Sequence, residues 1–555
     1  MMTPPPPHQV APGDRPAGNL RRTRSAAVGR HGMIATSQVL ASAAGLHVLQ
    51  RGGHAVDAAV TAAAVLAVVE PSMNGIGGDL FALVYDAGTR QVYGLDSCGR
   101  SGYRATPEEF ERRGLSGIPG SGPLAVTVPG VVEGWHQLLA RFGTMGLAVA
   151  LQPAIGYARE GFPVQELMAA DWALNQDKLA QDPAAAKTFL PGGRAPREAE
   201  VFANPNLARS LEHIATDGRD AFYTGGLAEA IVADIEARRG LLELRDFADH
   251  RADWVEPIHT SYRGHDVLEM PPSTQGFVAL EMLNLMEGFD VGSMGHNSAD
   301  YLHLVSEAKK IAFADRAACL ADRDAMPKGA LAALISKDYA AARRAEIDGR
   351  QAADYAPGSM GGRVRSLDFA GQDLGDTIYL TVADNHGNVV SFVQSLFGAF
   401  GAGIVAGDTG ITLHNRGAGF TLTPGHPNRV GPHKRPLHTL VPAMILKDGR
   451  PWVSFGVMGG DNQAQAHAQL VANLVDFGMN IQQAGEAARI RHLGTSLALE
   501  SGITSDVRAA LEARGHETCE GRGLMGGFQG ILIDQQSGVL MGGSDVRKDG
   551  LAIGW

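Results

Sequence analysis

The sequence predicts an α+β fold, and three observations lead to this prediction. Two helices are indicated near the N-terminus, where one apolar helical face ends at Gly52 and a nearly all-apolar stretch follows from Ala55. Helix-like stretches then dominate residues 130 to 345. Pairs of short apolar runs separated by turn residues, which are typical of β-hairpins, occur around residue 86 and return after residue 376.

The individual elements follow from periodicity and from turn residues. Val39, Ala43, Leu46 and Leu49 recur at helical spacing and predict the first helix. In the middle of the chain, helices are predicted over residues 131 to 142, 298 to 320 and 331 to 345. Hairpins are predicted around the turn at residues 86 to 89, around the turn at 384 to 388, and again over 441 to 447 and 528 to 541.

The composition points to small-molecule chemistry. The chain has 555 residues, 45% of them hydrophobic, which is enough for a large core. Its formal net charge of −11 and its scattered basic residues argue against an extended nucleic-acid surface. Cys98, Cys319 and Cys519 lie far apart and match neither a disulfide framework nor a zinc motif.

The N-terminus predicts a disordered tail over residues 1 to 30. This segment holds four consecutive prolines and five arginines, and it lacks the apolar core of a secretory signal. The most apolar run of the chain, residues 58 to 69, has about 12 residues, fewer than the roughly 18 to 20 that cross a bilayer. We therefore expect a cytoplasmic protein with no membrane partner.

The segment GDTIYLTVADNHGNVVSFVQ, residues 375 to 394, places Thr377 directly after Asp376 at the start of a predicted hairpin. A threonine hydroxyl is a weak nucleophile, and cleavage of the chain just before it would supply the freed α-amine as an adjacent base. The Gly-, Asp- and Ser-rich residues 355 to 375 predict a flexible connection into that bond. Because apolar residues alternate along 378 to 383, an ordinary strand is the alternative interpretation.

Blocks along most of the chain resemble the γ-glutamyltranspeptidase family of N-terminal nucleophile hydrolases. They run in the family's order from about Gly32 to Trp555 and include VVEPSMNGIGGD, TVPGVVEGW, PPSTQGFVALEMLNLMEGFD, DTIYLTVAD, KRPLHTLVPAMILKDGRPW, VMGGD and SDVRKDGLAIGW. The resemblance implies a four-layer αββα sandwich. It also implies a precursor that cleaves itself between Asp376 and Thr377, giving a large subunit of residues 31 to 376 and a small subunit of residues 377 to 555 that form one globular unit.

The family's catalytic residues carry over one position at a time. The resemblance makes Thr377 the nucleophile and Ser395 a hydroxyl that supports it. The paired Gly459 and Gly460 match the glycines whose backbone N–H groups form the family's oxyanion hole. No metal and no organic cofactor is implied, and a dimer of the processed heterodimer is an open alternative.

The acyl pocket departs from the family pattern. Positions where γ-glutamyl enzymes bind the substrate's α-amino and α-carboxylate groups are here Phe397, Arg416 and Gly419, so the ammonium group loses its acidic partner. His438 and Thr439 replace the family's consecutive serines. The pocket is therefore expected to bind an acyl group other than γ-glutamyl.

Two arginines indicate what that acyl group carries. A guanidinium matches a carboxylate, so we predict that Arg416 and Arg100 bind a substrate carboxylate in a branch that resembles oxamate amidohydrolase-like and cephalosporin-acylase-like members. Arg100 is offset from the family's arginine, and a surface location is the alternative interpretation of Arg416. The predicted function is hydrolysis of small carboxylate-bearing amides. A true γ-glutamyltransferase or glutathione hydrolase, and an inactive homologue with a binding role, are the alternatives.

Overall fold

The computed structural model describes residues 23–358, 376–521, 523 and 525–555. Most of the predicted flexible connection, residues 355 to 375, lies outside the described residues, as do residues 1 to 22 of the predicted tail. Residues 23 to 30 depart from the prediction because they belong to the fold. Ala27–Gly29 is a strand paired with residues 540 to 542, and the Arg30 N–H donates to the Trp555 carbonyl oxygen at 2.6 Å.

Most strands of the described chain belong to two antiparallel sheets. The strands are β1 Ala27–Gly29, β2 Met33–Thr36, β3 Asp79–Asp86, β4 Gln91–Ser97, β5 Phe162–Pro163, β6 Val201–Phe202, β7 Asp253–Val255, β8 Ile258–Tyr262, β9 His265–Glu269, β10 Asp376–Ala383, β11 Val389–Phe397, β12 Ala443–Lys447, β13 Arg450–Val457, β14 Ile490–His492, β15 Leu497–Leu499, β16 Thr518–Glu520, β17 Phe528–Ile533, β18 Leu540–Ser544 and β19 Leu551–Gly554. Within the described residues, sheet I has the order β19-β2-β10-β11-β3-β4-β7 and sheet II the order β1-β18-β17-β13-β12-β9-β8.

The described residues also form helices, some of which cover the outer faces of the two sheets. They are α1 Val39–Gln50, α2 Ala55–Val69, α3 Pro107–Arg112, α4 Val131–Phe142, α5 Leu147–Ala150, α6 Gln152–Glu160, α7 Glu166–Leu174, α8 Gln176–Ala180, α9 Pro183–Phe189, α10 Pro205–Asp217, α11 Asp220–Tyr223, α12 Gly226–Ala237, α13 Leu244–Ala248, α14 Gly276–Met286, α15 Val291–Met294, α16 Ala299–Cys319, α17 Ala330–Leu334, α18 Lys337–Arg344, α19 Asn462–Val475, α20 Ile481–Glu486 and α21 Ser505–Ala513. Helix α2 packs on sheet I, whereas α14 and α19 pack on sheet II.

The core has three layers, which confirms the predicted αββα sandwich. One apolar cluster joins α2 to sheet I, a second joins sheet II to its helices, and a third fills the space between the sheets. Strand β10 contributes to two of them. Ile378, Leu380 and Val382 face α2. Tyr379 faces sheet II, and the Thr381 hydroxyl forms a hydrogen bond with the Ser454 hydroxyl of that sheet at 2.6 Å. The alternating pattern therefore marks two buried faces and no solvent face.

Two expectations about the middle of the chain need correction. The helix predicted over residues 331 to 345 is two helices, because the Ser336 side chain caps α18 and ends the run. Strands β7, β8 and β9 interrupt the predicted helical region and complete the edges of both sheets. In the described part of the chain no single helix is long and apolar enough to cross a bilayer. One sharply bent pair, α4 followed by residues 147 to 160, meets the length and composition test together.

Candidate active site

Three adjacent strands of sheet I bring the predicted nucleophile and its predicted support together. Thr377 is the second residue of β10, at an irregularity in the pairing with β11. Its Oγ1 donates to Ser395 Oγ at 3.3 Å, and both side chains are buried. Ser395 stands opposite Asp79 of β3, and directly opposed residues of antiparallel strands share one face of the sheet. The aspartate therefore lies on the same face as Ser395.

Phe397 is the last residue of β11, and its aromatic ring packs against Arg416. The Phe397 N–H donates to Ser395 Oγ at 2.7 Å, and Phe397 has a φ of 78°, a left-handed conformation that bulky residues rarely adopt. The ring lies under the guanidinium of Arg416, whose central carbon is 4.0 Å from the ring centroid. Thr377, Ser395, Phe397 and Arg416 thus form one continuous set of contacts.

Arg416 is buried, which rules out the alternative surface location. It is 1% exposed at the start of a 3₁₀ turn, Arg416–Gly419, and its Nη1 donates to Thr439 Oγ1 at 3.1 Å. Within the described residues its Nε and Nη2 atoms have no hydrogen-bond partner. Burial lowers the Arg416 pKa to about 10, against the opposing effect of the Asp79 carboxylate, so the group stays charged at neutral pH. Two unsatisfied donors on a buried cation fit an anionic ligand.

The backbone at Gly419 agrees with the loss of an acidic partner. A Cβ atom at this position would lie 2.9 Å from the Leu437 carbonyl oxygen. A carboxylate side chain at 419 would therefore need the backbone to move. Within the described residues, the only charged side chain in this 3₁₀ turn is Arg416.

Gly459 and Gly460 follow β13 in conformations that favour glycine, with φ of 114° and 57°. Gln275 ties them to the acyl pocket, because its Nε2 donates to the carbonyl oxygens of both Gly460 and Thr439, at 3.1 and 2.9 Å. Within the described residues, the structure gives no protein acceptor for the N–H groups of the two glycines. This arrangement leaves two backbone donors for a ligand, as the predicted oxyanion hole requires.

Two residues beside these glycines escaped the sequence analysis. Asn462 is buried, and neither the oxygen nor the nitrogen of its side-chain amide has a hydrogen-bond partner in the described residues. It lies beside Gly459, because a Cβ atom added to that glycine would be 3.4 Å from the Cβ of Asn462. The second is Gln275, which makes the bridge described above. Gln275 lies inside the family block that begins PPSTQG, and Asn462 directly follows the block VMGGD, so these positions were the available signal.

A buried polar group centred on Asp79 lies behind the pocket. The Asp79 Oδ2 atom is 3.2 Å from His438 Nε2, 3.5 Å from His414 Nδ1 and 3.8 Å from Cys98 Sγ. Burial alone would raise the Asp79 pKa, but the two histidines and Arg416 hold it well below its usual range. Burial and Arg416 together lower the His438 pKa to about 3. His438 is thus a neutral partner of Asp79 and does not contact Arg416 by hydrogen bond in the described structure.

Arg100 is not part of this set of contacts. Its Nη2 is 3.4 Å from Asp253 Oδ2, where Arg435 also binds at 2.5 Å. The structure therefore brings together Thr377, Ser395, Phe397, Arg416, His438, Thr439, Gly459 and Gly460 and leaves Arg100 at a separate ion pair. The offset of Arg100 from the family position is consistent with this location.

Within the described residues, two groups of side chains are close enough to share a cation, and both are already engaged by hydrogen bonds or an ion pair. In the first, His438 Nδ1 accepts the Leu440 N–H at 3.2 Å, so the hydrogen is on Nε2 and points to Asp79. In the second, His303 and His516 bond each other at 2.8 Å beside Glu307, whose carboxylate is paired with an ammonium group, that of Lys310, at 2.6 Å. The absence of a metal or cofactor stays a prediction.

The comparisons with known proteins agree with this geometry. The family model described as "Gamma-glutamyltranspeptidase" matches residues 41–555. The chain is 39% identical over 538 residues to a glutathione hydrolase-like proenzyme, YwrD, of Bacillus subtilis, covering 95% of this chain and 99% of that protein. It is 35% identical over 555 residues to an oxamate amidohydrolase proenzyme of Klebsiella pneumoniae, covering 96% and 100%.

A solved structure matches over the same extent. The crystal structure of a cephalosporin acylase from Bacillus halodurans superimposes with a TM-score of 0.90 at 38% identity, covering 99% of both chains. The αββα layers, the Thr377–Ser395 contact and the paired glycines thus stand in a chain that matches these proteins from end to end. The chain belongs to the γ-glutamyltranspeptidase family of N-terminal nucleophile hydrolases.

Proposed function

We propose that this protein is a self-processing threonine amidohydrolase that cleaves amides of small acyl groups carrying a carboxylate. The observation that carries the proposal is Arg416, a buried cation with two unsatisfied donors in contact with the residues that hold Thr377. Acyl groups such as those of oxamate or a glutaryl amide present a carboxylate and no ammonium group, which suits this pocket.

Processing comes first in the proposed sequence of steps. The Thr377 hydroxyl oxygen attacks the carbonyl carbon of Asp376, the peptide C–N bond breaks, and an ester links the two residues. Water then hydrolyses the ester, which leaves a free carboxylate on Asp376 and a free α-amine on Thr377. Only after this cut does the nucleophile have its own base, because in the uncut chain its nitrogen is a peptide N–H.

Turnover uses the same hydroxyl. The α-amine takes the hydroxyl proton as Oγ1 attacks the substrate amide, and the N–H groups of Gly459 and Gly460 stabilise the negative charge that develops on oxygen. The amine product leaves with that proton, and an acyl-enzyme remains. Water deprotonated by the α-amine releases the carboxylic acid. The hydrogen bond that Thr377 Oγ1 donates to Ser395 Oγ orients the nucleophile before the attack.

The alternative is a γ-glutamyltransferase or glutathione hydrolase, which the names of several relatives favour. A γ-glutamyl group carries an α-ammonium, and this pocket offers Arg416 and no carboxylate at position 419 to receive it. An inactive homologue is a weaker alternative, because Thr377, Ser395 and two glycine N–H groups that have no acceptor in the described residues are all retained. The subunit boundaries, a cytoplasmic location and dimer formation remain part of the proposal.

Processing is tested with purified protein. We expect two fragments, and N-terminal sequencing of the smaller should begin Thr-Ile-Tyr-Leu. Thr377→Ala should abolish cleavage and turnover together, whereas Thr377→Ser keeps a hydroxyl and should retain part of both. A single intact band with full activity would exclude Thr377 as an N-terminal nucleophile.

The substrate class is tested on one fully processed preparation. We would measure kcat/KM for oxamate, glutaramate and butyramide, of which only the last lacks a carboxylate, and for glutathione. At least one carboxylate amide should be turned over much faster than butyramide. Equal rates on charged and uncharged amides would remove the role proposed for Arg416.

A further inference from the structure

The two buried histidines beside Asp79 differ in how their ring nitrogens are used. Both ring nitrogens of His438 are hydrogen-bonded: its Nδ1 accepts the Leu440 N–H at 3.2 Å, and its Nε2 donates to Asp79 at 3.2 Å. In His414, Nε2 donates to the Thr127 carbonyl oxygen at 2.9 Å. Its Nδ1 lies 3.5 Å from Asp79 Oδ2 and has no hydrogen-bond partner in the described residues.

This difference leaves one vacant proton position. A neutral His414 with hydrogen on Nε2 directs the lone pair of Nδ1 at a carboxylate, which is repulsive. A proton on Nδ1 would turn the same contact into a charge-assisted hydrogen bond to Asp79. The other oxygen of Asp79 is already occupied, since Oδ1 accepts the Gly99 N–H at 3.0 Å. His414 can therefore receive one proton without breaking any bond seen in the structure, and His438 cannot.

The charges around this position explain when the proton would arrive. The charged and titratable groups that act on His414 are the Asp79 carboxylate, the Arg416 guanidinium and neutral His438. The Cys98 thiol, whose pKa burial raises, lies 3.8 Å from Asp79 Oδ2. Burial and Arg416 lower the His414 pKa, although Asp79 opposes them. A carboxylate bound to Arg416 adds a negative charge to a buried site and cancels the repulsion that this cation exerts on His414.

We propose that His414 takes up a proton from solvent at Nδ1 when a substrate carboxylate binds to Arg416. The inference rests on the proposed function, because it needs a carboxylate at Arg416. His414 acts through Asp79 and is a positioning residue for the acyl pocket. The coupling strengthens the binding of an acyl group with net negative charge. An uncharged acyl group, or a γ-glutamyl group whose ammonium balances its carboxylate, gains nothing from it.

The test is isothermal titration calorimetry on the processed protein. The probes are pyruvate and 5-oxohexanoate, which replace the amide nitrogen of oxamate and glutaramate by a methyl group and have no leaving group. Titrations in buffers of different ionisation enthalpy give the number of protons taken up. We expect uptake of up to about one proton with the better probe, and none with 2-hexanone, an uncharged ketone that also has no leaving group.

The sign of the pH dependence is fixed by the same linkage. Because the His414 pKa is higher in the complex, affinity should be constant below the pKa of the free protein. It should then fall by up to about tenfold per pH unit until the pKa of the complex is passed. His414→Gln keeps a donor for Thr127 but cannot bind the proton, so uptake should disappear. His438→Gln keeps the bond to Asp79, and uptake should persist.

The outcomes separate this inference from the function on which it rests. Tight carboxylate binding that Arg416→Ala abolishes, but without proton uptake in the wild type, would overturn the role of His414 and leave the carboxylate site standing. Equal binding of the charged probe to the wild type and to Arg416→Ala would overturn both. Uptake that survives in a folded His414→Gln protein would assign the proton to another group and also refute the inference.

Discussion

Truncation of Arg416 is the sharpest perturbation of the acyl pocket. In Arg416→Ala, a bound carboxylate loses two hydrogen bonds from the open Nε and Nη2 atoms of a side chain that is 1% exposed. Hydrogen bonds that involve charged groups contribute about 1.5–3 kcal/mol each, and truncating one partner of a buried charged pair costs about 2–5 kcal/mol. A loss of about 3–5 kcal/mol satisfies both ranges, which corresponds to a fall in kcat/KM of about 150- to 5,000-fold.

The assay compares charged and uncharged substrates on the same preparations. We expect the loss for oxamate or glutaramate and little change for butyramide, which has no carboxylate to bind. Arg416→Lys restores the charge without the planar fork that stacks on Phe397, so it should recover only part of the activity. Arg100→Ala is the matched control, because its half-exposed partner Asp253 leaves it with an ion pair of small value.

Two results would refute this reasoning. If Arg416→Ala is processed and folded, as judged by fragment pattern and circular dichroism, and retains its kcat/KM for the carboxylate amides, the guanidinium does not bind the acyl carboxylate. If activity falls equally for butyramide, the arginine supports the fold of the pocket and does not select its ligand.

Three further predictions concern other parts of the molecule. Gly460→Ala should lower turnover by about 10²- to 10³-fold by displacing an oxyanion donor, whereas Gly449→Ala, with a similar φ of 71° in an open turn, should leave turnover unchanged and control for backbone strain. Glutathione should be a poor substrate of the wild type, and efficient hydrolysis insensitive to Arg416→Ala would contradict the proposed acyl pocket. Burial raises the Glu70 pKa from 4.5 to about 7, although the hydrogen bond from Ser37 opposes this shift. The contribution of Glu70 to the free energy of unfolding should therefore be greatest below pH 4.5 and should fall by about 3 kcal/mol as the pH rises to about 7. Glu70→Gln should remove that fall from the pH profile of Tm, and identical profiles would count against it.

The parts of the fold that could be predicted from sequence are those specified by local pattern. Helix α2 is buried on every side, which its nearly all-apolar sequence indicates, and the hairpin of β10 and β11 is signalled by apolar runs around a turn. Strands β8 and β9 were missed because each has only 5 residues and both lie in a region dominated by helical patterns. Residues 23 to 30 were missed because their partners are at the other end of the chain, so nothing in their own composition indicates a strand.

Some residues of the candidate site could likewise be predicted from local sequence, and others could not. The glycine pair and Thr377 stand in contiguous motifs that the family resemblance picks out. The burial of Arg416 could not be predicted, since arginine is mostly exposed and its burial depends on Phe397 and Thr439 reaching it in space. The contact of Asp79 with His438 joins residues 359 positions apart and has no local signature. Asn462 lacks a periodic or charge signal altogether.

The strand order of the two sheets determines when the precursor can be cleaved. In sheet I, β2 lies between β19 and β10, so a strand from before the proposed cut is flanked by two from after it. In sheet II, β1 pairs with β18 and β9 pairs with β12, so strands from before the proposed cut also border strands from after it there. Neither fragment could complete its sheets by itself, so scission has to follow folding rather than precede it. Separately synthesised halves would expose unpaired strand edges and are expected to aggregate, and the cut protein should come apart only when both sheets unfold.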